Sequence, residues 1–192
     1  MVSKKDDIVE AAKNLLWQVG YESMSPRMVL KASGAGQGSM YHHFETKADL
    51  SAYALEEIER ELTEEFDAVL ASQADPIDKI TAYLKVKRDG VNGCRLGRLA
   101  NEQSVLEGSL RVPIARYFKH VEHEIERVLI DAQQAGRLDD TMKAKDIATA
   151  IVAVVQGGFA LSRINGNSAK IRQASRGALV LLEHAVKPDT GA

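Results

Sequence analysis

The amino-acid sequence predicts an all-α protein, and three observations carry that expectation. Apolar residues recur at three- and four-residue spacing through most of the chain. Capping patterns stand at the head of these stretches. No segment sustains the period-two alternation of a strand bounded by hairpin turns. Read together with their stop signals, these stretches give about nine helices with short connections.

The elements follow in order. Ser3 with Asp6 three residues on is a capping box, and Ile8, Ala11, Ala12, Leu15, Leu16 and Val19 then recur at helical spacing up to the stop at Gly20. Ser25-Pro26 pairs an N-cap hydroxyl with a proline at the first turn, where its missing N–H costs nothing, and predicts a helix over 26–32. Met28, Val29 and Ala32 are available for its buried side. Gln37 to His43 reads as a second short helix with Met40 and Phe44 inward at i, i+4. Thr46 with Asp49 launches a helix through roughly Leu70, and Asp75-Pro76 opens another to about Asp89. A shorter helix is expected over Leu96–Val105, and a long one from Ser109, or from Pro113, to about Ala135. The last two are expected over Lys143–Ile164 and Ser168–Val186, ahead of Pro188 and a disordered tail.

At 192 residues, with 45% hydrophobic and 27% charged residues, the chain has the make-up of an ordinary globular protein. The longest unbroken apolar run, Ala150–Val155, falls far short of a membrane span, so no membrane partner is expected. The opening "MVSKKDD" lacks an apolar core, so no secretory signal is expected. A single cysteine, Cys94, allows no internal disulfide and fits a reducing cytoplasm. The formal net charge of −2 gives no whole-chain support for binding a polyanion.

The stretch "SGAGQGSMYHHF", Ser33 to Phe44, admits three readings. As a dinucleotide fingerprint it starts with Gly34-x-Gly36, but Ser39 stands where the third glycine belongs and a helical turn precedes it instead of a strand. No Gly-Lys-Ser/Thr follows, so a P-loop fails as well. As a metal site it fails because His42 and His43 are adjacent and point about 100° apart on a helix. As a glycine turn between two short helices it fits every position: Gly34 takes the positive φ, and Gln37, Ser39, Tyr41, His42 and His43 face outward. Amide, hydroxyl, phenol and imidazole groups suit groove edges and phosphate oxygens. Short helix pairs also occur as plain structure, and pattern alone leaves that alternative open.

Residue identity goes further. Ala11-Ala12, Leu15-Leu16-Trp17, Gly20-Tyr21, Ser25, Val29, Gly34, then Gly38-Ser39-Met40-Tyr41-His42-His43-Phe44, Lys47 and Leu50 resemble the DNA-binding domain of the TetR family of bacterial transcriptional regulators. Ser33, Ala35 and Gly36 depart from the family pattern, and Gly36 leaves the second helix less firmly capped. The resemblance implies a three-helix helix-turn-helix domain over 1–48, followed by a larger effector-binding and dimerisation domain over 49–192. It implies a DNA-binding set of Ser25, Arg27, Gln37, Gly38, Ser39, Tyr41, His42, His43 and Lys47. Within this set Arg27, Gln37 and Ser39 would face base edges, and Tyr41, His42, His43 and Lys47 would hold phosphates. The chemistry agrees: arginine bridges guanine O6 and N7, and glutamine pairs bidentately with adenine. Residues 25–47 carry Arg27, Lys31 and Lys47 against Glu45 alone, so the local balance is positive although the chain's is not.

In the second half the resemblance implies a small-molecule effector site and a homodimer reading a palindromic operator in double-stranded DNA. Ile151, Val154, Gly158 and Leu161 on one predicted helix, with Ala174, Ala178 and Leu181 on the next, are the expected dimer face; covering their own core is the alternative. Cys94, Leu96, Leu99, Phe118 and Phe159 are the candidates for the effector pocket. Cys94 falls at a predicted helix start, where a thiolate is favoured, although a lone cysteine also serves as buried filler. His120, His123 and Glu124 share one helical face at metal-ligand spacing, and a solvated charged face explains them equally. Neither feature brings the partners that a nucleophile or a catalytic metal needs, so no enzyme, metal or cofactor is expected. Arg137 has no assignable role.

Overall fold

The computed structural model describes residues 3–186, and its regular elements are helical. In chain order these are α1 (Lys4–Gln18), α2 (Pro26–Ser33), α3 (Gln37–His43), α4 (Lys47–Ala71), α5 (Pro76–Lys85), a 3-10 turn (Gly97–Asn101), α6 (Gln103–Leu106), α7 (Arg111–Gln134), α8 (Ala144–Ile164) and α9 (Ala169–Ala185). Extended pairing among the described residues amounts to an isolated bridge between Leu138 and Val186. The expected tail from Pro188 lies outside the described residues.

The capping patterns do what their chemistry dictates. Asp6 N–H donates to Ser3 Oγ at 3.2 Å while Ser3 N–H donates to Asp6 Oδ2 at 3.0 Å. Hydrogen bonding to the Ser3 side chain, the larger cause, and to the Ser3 backbone N–H holds the Asp6 carboxyl below its ordinary value. Thr46 and Asp49 make the same reciprocal box at the head of α4, with N–H bonds of 2.9 and 3.1 Å. Asp75 caps α5 through the N–H groups of Ile77 and Asp78.

Two expected spans and one expected burial are corrected. The helix from Asp75 stops at Lys85, well before Asp89, because Val86 turns to φ −51°, ψ 130° and Arg88 donates to Tyr83 O and Val86 O at 2.7 and 3.1 Å. The single helix over Leu96–Val105 is two short pieces broken at Glu102, whose backbone is extended. On α2, Val29 is 1% exposed as expected and Met28 is half-buried, but Ala32 is exposed.

The described residues form two compact units, 3–62 with 94–117, and 63–93 with 118–186. In the first, α1 packs on α2 and α3, and Ile8, Ala12, Leu16, Val29 and Met40 are buried. Leu55, Ile58, Leu96, Leu99 and Val105 are completely buried in the same unit. In the second, α9 packs on α8 and on α5. A Cβ at Gly158 of α8 would lie 3.0 Å from the Cα of Ile171, so the absent side chain is what lets α8 and α9 approach there. Ser162 Oγ accepts the Ile171 N–H at 2.9 Å at the same crossing.

α8 is long and apolar enough to cross a membrane by length and composition, beyond what its longest unbroken apolar run indicated. Its apolar residues have destinations within the second unit: Ala148, Ile151, Val152 and Val155 are buried, and Val154 and Leu161 line a groove shared with α9.

Candidate nucleic-acid interface

The turn between α2 and α3 is built as the glycine pattern requires. Gly34 caps α2 at φ 63°, ψ 15°, left-handed backbone that favours glycine. Ser33 Oγ accepts the Ala35 N–H at 3.3 Å. Gly36 then stands at the N-cap of α3 and supplies no side-chain bond, leaving backbone N–H groups at the start of α3 without a side-chain cap.

Met40 and Phe44 anchor α3, at 3% and 6% exposure. That orientation leaves Gln37, Gly38, Tyr41, His42 and His43 exposed and Ser39 half-buried. The rings of His42 and His43 stand edge to face, 5.0 Å apart. A Cβ at Gly38 would meet nothing within 4 Å, so the protein's own packing does not demand a glycine there. On α2, Arg27 is exposed in the first turn, while Ser25 Oγ accepts the Met28 N–H at 3.3 Å as the N-cap. Lys47, at the first position of α4, places its Nζ 4.3 Å above the Tyr21 ring, which fixes the ammonium beside the helix start.

Behind this surface lies a brace that local sequence patterns did not reveal. Lys13, 7% exposed, pairs with Glu10 and with Glu61, and Glu61 also accepts from Arg95 at 2.9 Å. Burial alone would lower the Lys13 value, but the hydrogen bonds to Glu10 and Glu61 outweigh it and raise it. For Glu61 burial acts upward, and the bonds from Lys13 and Arg95 outweigh it, so its carboxyl titrates below the ordinary range. Arg98 donates to Trp17 O at 2.6 Å. Glu102 accepts the N–H groups of Tyr21 and Glu22 at 3.2 and 2.6 Å. Lys5 Nζ sits 4.1 Å above the Tyr53 ring, next to Phe44. Apart from Glu10, three residues before Lys13 on α1, these partners lie tens of positions apart in the sequence, so helical spacing carries no trace of them.

The remaining candidates are placed as follows. Leu96 and Leu99 are completely buried and Cys94 is half-buried in the first unit, whereas Phe118 and Phe159 are half-buried in the second. Cys94 Sγ accepts the Gly97 N–H at 3.3 Å. His120 Nε2 lies 2.7 Å from Asp67 Oδ1, and Glu124 is engaged by Arg127. Arg137 acquires a role the sequence did not disclose: it donates to the helix-capping Asp75 at 2.9 Å.

Ile151, Val154, Gly158, Leu161, Ala174, Ala178 and Leu181 all line one groove between α8 and α9, of about 530 Å³. Ile151 and Gly158 are buried at its floor, while Leu161 is 50% and Leu181 is 74% exposed.

The family model for bacterial regulatory proteins of the tetR family matches residues 8–54, and that for the tetracyclin repressor-like C-terminal domain matches residues 75–178. The chain is 28% identical over 178 residues to the HTH-type transcriptional regulator LmrA of Bacillus subtilis, covering 89% of this chain and 92% of the relative. It is 22% identical over 189 residues to the HTH-type transcriptional repressor DhaR of a Mycobacterium species, covering 97% and 93%. Among solved structures, a TetR transcriptional regulator from Chloroflexus aurantiacus superposes with a TM-score of 0.87 at 23% identity, covering 95% of this chain and 96% of that one. The reduced form of Escherichia coli NemR superposes with a TM-score of 0.83 at 19% identity, covering 98% and 100%. At these identities the superpositions show a shared fold.

Proposed function

Because this chain belongs to the TetR family of bacterial regulatory proteins, we propose that it is a sequence-specific DNA-binding repressor of the cytoplasm, released from its operator by a small-molecule effector. It is a transcriptional regulator and not an enzyme. The observation that carries the reading is α3, a seven-residue helix pinned by Met40 and Phe44 with its polar side chains outward.

In this reading Arg27, Gln37 and Ser39 contact base edges, and Tyr41, His42, His43 and Lys47 hold phosphates of the same major groove. Ser25 and Gly38 shape the approach. A homodimer forms through the α8–α9 groove, whose exposed leucines gain a covering only from another surface. Two copies of α3 then enter successive major grooves about 34–36 Å apart on a palindromic operator. An effector bound better by a dimer with the wrong spacing shifts the population away from DNA, and a coupling of about 1–3 kcal/mol gives 5–150-fold regulation.

A fluorescence-anisotropy titration with the DNA flanking the protein's own coding region, in rising salt, tests the reading. Nanomolar, salt-sensitive affinity is expected for the operator fragment. Affinity no better than for a random duplex of equal length would refute it.

A further inference from the structure

A second hollow, of about 220 Å³, opens in the second unit between the C-terminal end of α5 with its following turn and the first half of α9. Lys85, Lys87, Arg88, Arg172 and Arg176 line it, and no carboxylate does. In a chain whose formal net charge is −2, this is a strong local inversion of sign. Among the described residues none of these cations makes an ion pair. Asp89, the acid next in the chain, is committed instead to the Val91 and Asn92 N–H groups and the Asn92 side chain.

One of these cations is fixed in place, while Lys85, Lys87, Arg172 and Arg176 are exposed. Arg88 donates to Tyr83 O and Val86 O and lies 4.8 Å over the Tyr83 ring, so its guanidinium is held with further N–H donors to spare. Ser175 lines the same hollow at 6% exposure, and its hydroxyl has no hydrogen-bond partner among the described residues. The apolar part of the lining is Leu84, Ile171 and Leu179, with Leu84 and Ile171 each 2% exposed.

From these features we propose that the hollow binds a phosphorylated small molecule with a short apolar body. Arginine forks and a hydroxyl donor suit phosphate oxygens, and several uncompensated cations favour a multiply charged anion over a single carboxylate. The apolar lining takes the organic body. A bare inorganic ion would leave this surface uncovered, and a DNA backbone would have no apolar group to place on it. The volume lies below the roughly 300–1,000 Å³ of drug-sized pockets, which sets the ligand at about a dozen non-hydrogen atoms.

Isothermal titration calorimetry of the full chain with hexyl phosphate, inorganic phosphate, hexanoate and hexanol at constant ionic strength tests the site. Hexyl phosphate is expected to bind at least tenfold more tightly than the other three. Arg172→Gln combined with Arg176→Gln is expected to weaken it at least tenfold with the fold intact by circular dichroism. Ser175→Ala, which leaves every charge in place, is expected to weaken it severalfold. Equal affinity for hexyl phosphate and inorganic phosphate in the unmodified chain overturns the site whatever the variants do. So does a folded double arginine variant that binds hexyl phosphate normally, or one that loses only affinity for random duplex DNA. Because the titration reads ligand binding directly, its outcome is independent of operator recognition.

Discussion

Gly20 and Glu102 meet in the first unit with no space left between them. Gly20 adopts φ +87°, and a Cβ there would overlap the Glu102 carboxylate, which accepts the N–H groups of the next two residues. Gly20→Ala is expected to cost about 1–2 kcal/mol from the left-handed backbone alone. Glu102→Ala should cost about 1–3 kcal/mol, because two backbone donors lose their acceptor. Urea denaturation of both variants and their combination checks the pair. The double variant should lose less than the sum, and simple additivity would count against the contact.

The Lys13–Glu61–Arg95 cluster makes stability depend on pH in a defined direction. The folded-state value of Glu61 is lowered, so its contribution is present above the unfolded carboxyl value and is lost as pH falls through the folded one. Lys13 is raised, so its contribution is present below the ordinary lysine value and is lost as pH rises through the raised one. Glu61→Gln should therefore lower stability by about 1–3 kcal/mol at neutral pH. That gap should close in acid below the ordinary carboxyl range. Thermal melts from pH 2 to 8 read the gap directly, and one that stayed constant into strong acid would contradict the assignment.

Arg27 and Lys47 should separate on mutation. Arg27→Ala is expected to cost about 1–3 kcal/mol of discrimination at a single base pair while leaving random-sequence affinity nearly unchanged. Lys47→Ala should weaken every sequence alike and reduce the slope of log K against log salt by about one per subunit. Binding to a panel of single-substitution operators distinguishes the two, and identical profiles would remove the distinction between base and phosphate contact.

Leu181, 74% exposed at the groove of α8 and α9, is the position at which a charge should divide a dimer. Leu181→Glu places a carboxylate where an apolar surface has to be covered, and sedimentation velocity should then give a monomer with unchanged helicity. Operator affinity should fall at least tenfold as the second half-site is lost. An unchanged sedimentation coefficient would move the interface elsewhere.

How much of this was legible in the sequence depends on the range of each interaction. The span of α3 and the inward turn of Met40 and Phe44 follow from glycine placement and i, i+4 spacing, all within a dozen residues. The caps at Ser3, Ser25, Thr46 and Asp75 were equally readable, since their bonds close within three residues. The break at Glu102 was not, because its backbone donors lie 80 and 81 positions away. Arg137 found its partner 62 positions upstream. Ala32 was misplaced because a two-turn helix offers too few residues for periodicity to fix its rotation. The basic hollow escaped notice for the same reason as the brace: its two halves are unremarkable runs until the fold brings α5 and α9 together.

Since Arg95, Arg98 and Glu102 fasten the 94–107 segment to α1, to the turn after it and to α4, the reading head is not severable by one cut. A fragment ending at Leu62 would strip Glu61 and the Trp17 carbonyl of their arginines and take the Glu102 acceptor from the Tyr21 and Glu22 N–H groups. Chimeric regulators that graft this head onto a foreign sensor should therefore transplant both stretches of chain, or re-engineer the seam where the second one is missing.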